Sequence, residues 1–183
     1  VDELKELSNR WLDNAEIARQ YAMGLFNLSA RQEGAAAIKT TVDELKELSN
    51  RWLDNAEIAL VYAMSLFNLL VFQEDAAARK TTVDALKELS NRWLGNAEIA
   101  LAYARGLVNL LARQEEVVAR QTTVDELKEL SNRWFDNVVI ASVYARGLID
   151  FSASQEDVAA RKTTVDELKE LSNRWVENAE IAL

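Results

Sequence analysis

Apolar residues recur along this chain at helical spacing. Ile58 is followed by Ala59, Tyr62, Ala63, Leu66, Leu69 and Leu70, and steps of three and four place such residues on one helix face. Asp54-Asn55-Ala56-Glu57 just before them reads as a helix start, with an Asx residue to cap and an acid in the first turn. The pattern breaks at the polar Gln73-Glu74-Asp75, whose counterparts are Gln32-Glu33-Gly34, Gln114-Glu115-Glu116 and Gln155-Glu156-Asp157. A second helix is predicted from about Ala76 to Trp93, with Ala78, Leu86, Leu89 and Trp93 on its inner face. Leu94-Gly95-Asn96 then turns the chain into the next element. Two helices of similar length joined by short turns form a hairpin that can stack on its copies.

A competing division breaks the chain at Thr81-Thr82, where Thr82-Val83-Asp84 resembles a cap and Thr41 with Glu44 completes a capping box. That division gives one short and one very long helix. The even hairpin is preferred because its helices pack along their full length. It leaves both threonines inside a helix, at a cost of a few tenths of a kcal/mol each.

The same phrase returns throughout. TTVDELKELSNRW runs from Thr40 to Trp52, from Thr81 to Trp93 (with Ala85 for a glutamate), from Thr122 to Trp134 and from Thr163 to Trp175, and a shortened copy starts at Val1. Trp11, Trp52, Trp93, Trp134 and Trp175 are spaced by 41 residues without insertion or deletion. A fixed period of this size means stacked supersecondary units that bury their apolar faces against one another. The expected architecture is all-α: one array of about 4.5 repeats over residues 1–183, with units 14–54, 55–95, 96–136 and 137–177 and partial units at both ends. The five tryptophans are expected to pack between repeats.

Composition supports the helical reading and narrows the chemistry. There is no proline and there are only five glycines. A formal charge of -9 argues against nucleic acid as a partner, since phosphate contacts need a clustered basic surface. No signal peptide or apolar span of bilayer length stands out, so no membrane partner is expected, and the compartment is unknown, cytoplasmic if the protein is natural. Lacking both histidine and cysteine, the chain has no thiol nucleophile, no usual neutral-pH acid–base group and none of the best zinc ligands. No catalytic residues, metal or cofactor are expected.

Leu94-Gly95-Asn96-Ala97-Glu98-Ile99-Ala100-Leu101-Ala102-Tyr103-Ala104 resembles the tetratricopeptide repeat and its relatives. Ala104, with Ala22, Ala63 and Ala145, matches that family's small packing position, and Glu74-Asp75-Ala76-Ala77 resembles the start of its second helix. The resemblance implies an αα-hairpin solenoid whose first helices line a concave groove for peptides. Two departures stand out. The unit is longer than the usual 34 residues, and Trp52-Leu53-Asp54 replaces the proline expected between repeats. Seven added residues are close to two helical turns and leave the apolar face pointing nearly the same way. The missing proline leaves nothing to forbid helix through Trp52 to Asn55, which would fuse neighbouring hairpins or swap them between chains. Copies this alike also look like a designed or consensus repeat array, or a recently duplicated gene.

Function is expected to reside in the first helices, which vary where the second helices barely do. The candidate partner-binding positions are Met23, Asn27, Leu60, Val61, Met64, Asn68, Phe72, Arg105, Asn109, Arg146 and Asp150. Arg105 and Arg146, one period apart, suit a carboxylate if that helix lines a groove, and are otherwise ordinary solvated residues. The run Leu66-Phe67-Asn68-Leu69-Leu70-Val71-Phe72 must be covered, by a neighbouring repeat or by another chain. Neither end carries an atypical capping unit, so the expected partner is protein: another copy of the chain, head to tail in an oligomer or filament, or a peptide bound by a monomer. A fragment of a longer array would have the same ends.

Overall fold

In a computed structural model of the chain, residues 1–11 and 13–174 are described, and among them every regular element is helical. The helices are α1 (Asp2–Arg10), α2 (Ala15–Ser29), α3 (Ala35–Arg51), α4 (Ala56–Phe72), α5 (Ala76–Arg92), α6 (Ala97–Leu111), α7 (Val117–Arg133), α8 (Val138–Ala153) and α9 (Val158–Arg174). Four first helices start at 15, 56, 97 and 138, and four second helices at 35, 76, 117 and 158, so the sequence period is also the structural period. Trp175 lies outside the described residues.

The corner that lacks proline is made by hydrogen bonds instead. Trp52 ends α3 with a non-helical backbone (φ -110°, ψ 61°) while its N–H still reaches the Leu48 carbonyl. Its own carbonyl accepts the Asn55 N–H at 3.0 Å, which closes a tight turn over Leu53-Asp54. The Asn55 side-chain oxygen then accepts the N–H groups of Glu57 and Ile58, each at 3.1 Å, and so caps α4. The same arrangement recurs at Trp93–Asn96 and Trp134–Asn137. Helix does not continue from one hairpin into the next.

The threonine pair stays helical, as the even division requires. Thr40, Thr81, Thr122 and Thr163 return their hydroxyls to the carbonyl four residues earlier, at 2.9–3.3 Å. Helix starts at the second turn differ in kind. Asp75 and Asp157 accept N–H groups of the first turn, whereas Gly34 supplies no side chain and takes the positive φ of 94° that glycine tolerates.

Contacts divide the chain into two compact units, one of Val1–Tyr103 and one from Ala104 onward, with the division inside α6. In the first, α2 packs on α1, α3 and α4, while α4 also packs on α3 and α5. In the second, α8 packs on α7 and α9. Within each unit, neighbouring helices of successive hairpins therefore rest on one another, as a helical repeat requires. The core is the apolar face that the spacing predicts: Leu25, Ile38, Leu45, Ile58, Leu70 and Leu86 in the first unit, and Leu107, Leu111, Leu127, Ile140 and Leu148 in the second, are fully buried. Each such side chain contributes about 1.5–3 kcal/mol. Trp52, Trp93 and Trp134 are half-buried at the hairpin corners, and Trp11 is exposed.

A small residue brings the helices together at a place the resemblance did not mark. Gly24, Ser65, Gly106 and Gly147 share one position in the first helices. A Cβ at Gly147 would sit 2.7 Å from Leu127 Cδ1, and one at Gly24 would sit 3.2 Å from Leu4 Cδ1. The leucine of the preceding second helix presses here. The alanines Ala22, Ala63 and Ala104 are also fully buried, and Ala145 is half-buried.

Candidate functional site

The first helices carry the candidate stripe. In the first unit Met23, Asn27, Met64 and Phe72 are exposed, and Leu60 and Asn68 are half-buried. Val61 is in the core, so its side chain is not offered to a ligand. In the second unit Arg105 and Arg146 are exposed at the position held by the two methionines, and neither has an ion pair among the described residues. Asn109 and Asp150 are half-buried. The Asn109 side-chain oxygen has no hydrogen-bond partner, and the Asp150 backbone carbonyl is engaged by a neighbouring helix. Arg19, at the Leu60 position, pairs with Glu16 at 2.7 Å and reaches Glu57 of α4 at 3.2 Å. Hydrogen bonds from Arg19 and then Gln20 draw the Glu16 carboxyl down to about 2.

Other exposed side chains are apolar. Leu53 and Leu94, at the same turn of successive hairpins, are 53% and 60% exposed, and Phe135 takes that place in the second unit. There the Arg174 guanidinium lies 4.7 Å from the centre of the Phe135 ring. At the end of α4, Leu69 and Leu70 are buried while Val71 and Phe72 are not. The packing thus covers only part of the run from Leu66 to Phe72.

Three polar devices join the helices, none of them anticipated from sequence. In the first, a carboxylate links three helices. Glu44 of α3 accepts the Tyr21 hydroxyl of α2 at 2.5 Å and the Lys5 ammonium of α1 at 2.7 Å. Glu167 does the same for Tyr144 and, at 2.6 Å, for Lys128. The bonds from Lys5 and then Tyr21 hold the Glu44 carboxyl below its ordinary value, and burial, followed by the glutamate bond, raises Tyr21 and Tyr144. An open groove of about 190 Å³ runs beside the first node, between Asn9, Glu47 and Arg51.

The second device is a threonine–glutamine bond across the hairpin turn. Thr41 donates to Gln32, Thr123 to Gln114 and Thr164 to Gln155, at 2.9–3.0 Å. In the third, arginine replaces Ile38 of the first hairpin. Arg120, only 9% exposed, donates to the backbone carbonyls of Leu111, Gln114 and Asp150 at 2.8–3.0 Å. Arg79 donates to Gln73 O, and Arg161 to Gln155 O. Carbonyls at helix ends lack intrahelical donors and carry partial negative charge, so they hold the terminal nitrogens of a buried guanidinium without a carboxylate, while Nε of Arg79 and of Arg120 stays unpaired. A signal for the first two devices lay in the internal copies, which keep the glutamine, the second threonine and the tyrosine in all four units.

Among the described residues, no group of three or more acidic side chains could hold a metal ion, and no helix is long and apolar enough to cross a membrane. No protein-family model, no curated protein and no solved structure matches the chain.

Proposed function

We propose that this chain is a non-enzymatic, tetratricopeptide-like helical scaffold that associates with other copies of itself through its repeat faces. One observation carries the reading. The second helix of one hairpin packs on the first helix of the next at α1–α2, α3–α4 and α7–α8, and the leucines Leu4 and Leu127, three periods apart, both press on the small position of the following helix, at Gly24 and Gly147. The two faces are complementary wherever they occur, so a face on one copy fits the opposite face of another, head to tail. On α1, Leu7 is 42% exposed, whereas its counterparts Leu48, Leu89 and Leu130 are 3–4% exposed. Exposed Val71, Phe72, Leu53 and Leu94 add apolar area at interior positions.

Light scattering over a dilution series tests the proposal. The expected mass rises above 20.6 kDa with concentration, and Leu7→Lys returns it to that of the monomer. A mass fixed at 20.6 kDa at high concentration removes the assembly reading. A larger mass that ignores Leu7→Lys removes the head-to-tail geometry.

A second reading rests on Arg105 and Arg146. Two exposed guanidiniums without ion pairs, on successive first helices of an acidic protein, suit a monomer that binds an acidic peptide. Fluorescence anisotropy with an acidic peptide at low salt separates the readings. Arg105→Glu with Arg146→Glu abolishes peptide binding if the groove is used and leaves self-association intact.

A further inference from the structure

The node that Glu44 makes in the first hairpin has lost its carboxylate in the second. The helices concerned, α3, α4 and α5, keep the 41-residue register, and α4 packs on both α3 and α5. Lys46, Tyr62 and Ala85 therefore take the places of Lys5, Tyr21 and Glu44. Neither the Tyr62 hydroxyl nor the Lys46 ammonium has a hydrogen bond or ion pair among the described residues. Tyr62 is only 6% exposed, but its hydroxyl is not sealed off, since it is absent from the fully buried unpaired atoms. Ala85 is half-buried and Lys46 is exposed, so solutes reach this corner.

We infer that the surface beside Ala85, between Tyr62 and Lys46, binds a short aliphatic monocarboxylate. A glutamate side chain differs from alanine by CH2–COO⁻, which is acetate in size and charge. The two sister nodes demonstrate how the donors are used: one carboxylate takes a phenol O–H and a lysine N–H together. A charge-assisted pair of this kind is the strong class of hydrogen bond. The acids facing Tyr62, Asp43 of α3 and Glu88 of α5, do not exclude an anion. Their counterparts Asp2 and Glu47 lie near Lys5, and Glu44 is nonetheless ionised there. Arg92 adds a favourable charge near Tyr62.

The test uses ring-labelled tyrosine NMR, with sodium acetate titrated against sodium chloride of equal ionic strength at neutral pH. Tyr62→Phe assigns the Tyr62 signals among the four tyrosines. The expected result is a saturable shift at Tyr62 and none at Tyr21 or Tyr144, whose hydroxyls already hold a glutamate. Ala85→Glu abolishes the saturable shift, and Lys46→Met weakens binding several-fold. Benzoate, too bulky for the place of a glutamate arm, produces no saturation. Equal, linear shifts at all three tyrosines overturn the inference, as does acetate binding by Ala85→Glu that matches wild type. Should Ala85→Glu fail to fold, thermal midpoints replace it: acetate raises that of wild type and not that of Tyr62→Phe, and an equal rise in both overturns the site.

Discussion

The first hairpin, α2 with α3, and the second, α4 with α5, share a backbone register and differ in what they do with buried polar atoms. In the first, Tyr21 is bonded to Glu44, Thr41 to Gln32 and the Ser29 hydroxyl to the Phe26 carbonyl. In the second, Ser65 Oγ, Gln73 Oε1, Arg79 Nε, Ser90 Oγ and Trp93 Nε1 are buried without partners. Apolar mass moves the other way. With Val71-Phe72 where the first hairpin has Ala30-Arg31, α4 runs to 17 residues against 15 for α2, and its end is left uncovered. The repeat defines where the helices lie, and single substitutions inside it decide whether each polar atom finds a mate. A buried unpaired group costs about 1–3 kcal/mol, so the second hairpin relies more heavily on its apolar contacts.

The strongest way to break this comparison is to test the part the two hairpins share. Leu45 and Leu86 hold the same position and are both fully buried. Leu45→Ala and Leu86→Ala are each expected to cost about 2–5 kcal/mol in chemical denaturation. Matching costs mean that the shared register governs the core. A loss below about 1 kcal/mol at Leu86 alone, the scale of an ordinary surface change, would mean that the second hairpin is not built on the first one's plan.

A smaller effect of opposite sign sharpens the contrast. Ser65 stands where three other copies have glycine, and its buried hydroxyl has no partner. Ser65→Ala keeps the Cβ, removes the unpaired oxygen and raises helix propensity, so it is expected to stabilise the chain by about 1 kcal/mol. Gly147→Ala at the corresponding position is expected to destabilise, because its Cβ would meet Cδ1 of the fully buried Leu127 at 2.7 Å and overpacking there, about 1–3 kcal/mol, outweighs the helix propensity gained, about 1 kcal/mol. Thermal midpoints moving in the same direction for both variants would show that the hydroxyl is not the relevant difference.

Which of these features could be read beforehand depends on how local they are. Helix boundaries were legible because each cap is chemically local: Asn55 reaches N–H groups two and three residues on. The absent proline at the corner pointed the other way, but a Trp carbonyl and an Asn N–H three residues apart do its work. Links such as Tyr21 to Glu44, or Arg120 to the Asp150 carbonyl, join residues 23 and 30 apart and follow only from how helices pack. Of the candidate positions, Met23, Met64, Arg105 and Arg146 are exposed. Val61 is buried, which its sequence could not show, because α4 is apolar on most faces and its pattern does not say which face is inward.

The finest test exchanges the one residue that separates the two nodes. Glu44→Ala makes the first node like the second, and Ala85→Glu does the reverse. Lys5 and the Glu44 side chain are 47% and 33% exposed, so solvent screens the ion pair, and each exchange is expected to change stability by less than about 1 kcal/mol. The pH dependence is the more telling readout. The Glu44 carboxyl is held below its ordinary 4.5, chiefly by the bond from Lys5 and then by that from Tyr21. A depressed carboxylate contributes its full stability above the unfolded value and loses it as pH falls through the folded one. Glu44→Ala should therefore match wild type more closely as pH drops below about 4.5, and Ala85→Glu should lose its advantage over the same range. At the alkaline end burial pushes Tyr62 up to about 12, so both proteins that keep Ala85 lose a further contribution as pH rises from about 10 toward that value. A difference between wild type and Glu44→Ala that stays constant from neutral pH to pH 3 would mean that the glutamate acts through packing alone, and the two nodes would then differ in shape rather than in charge.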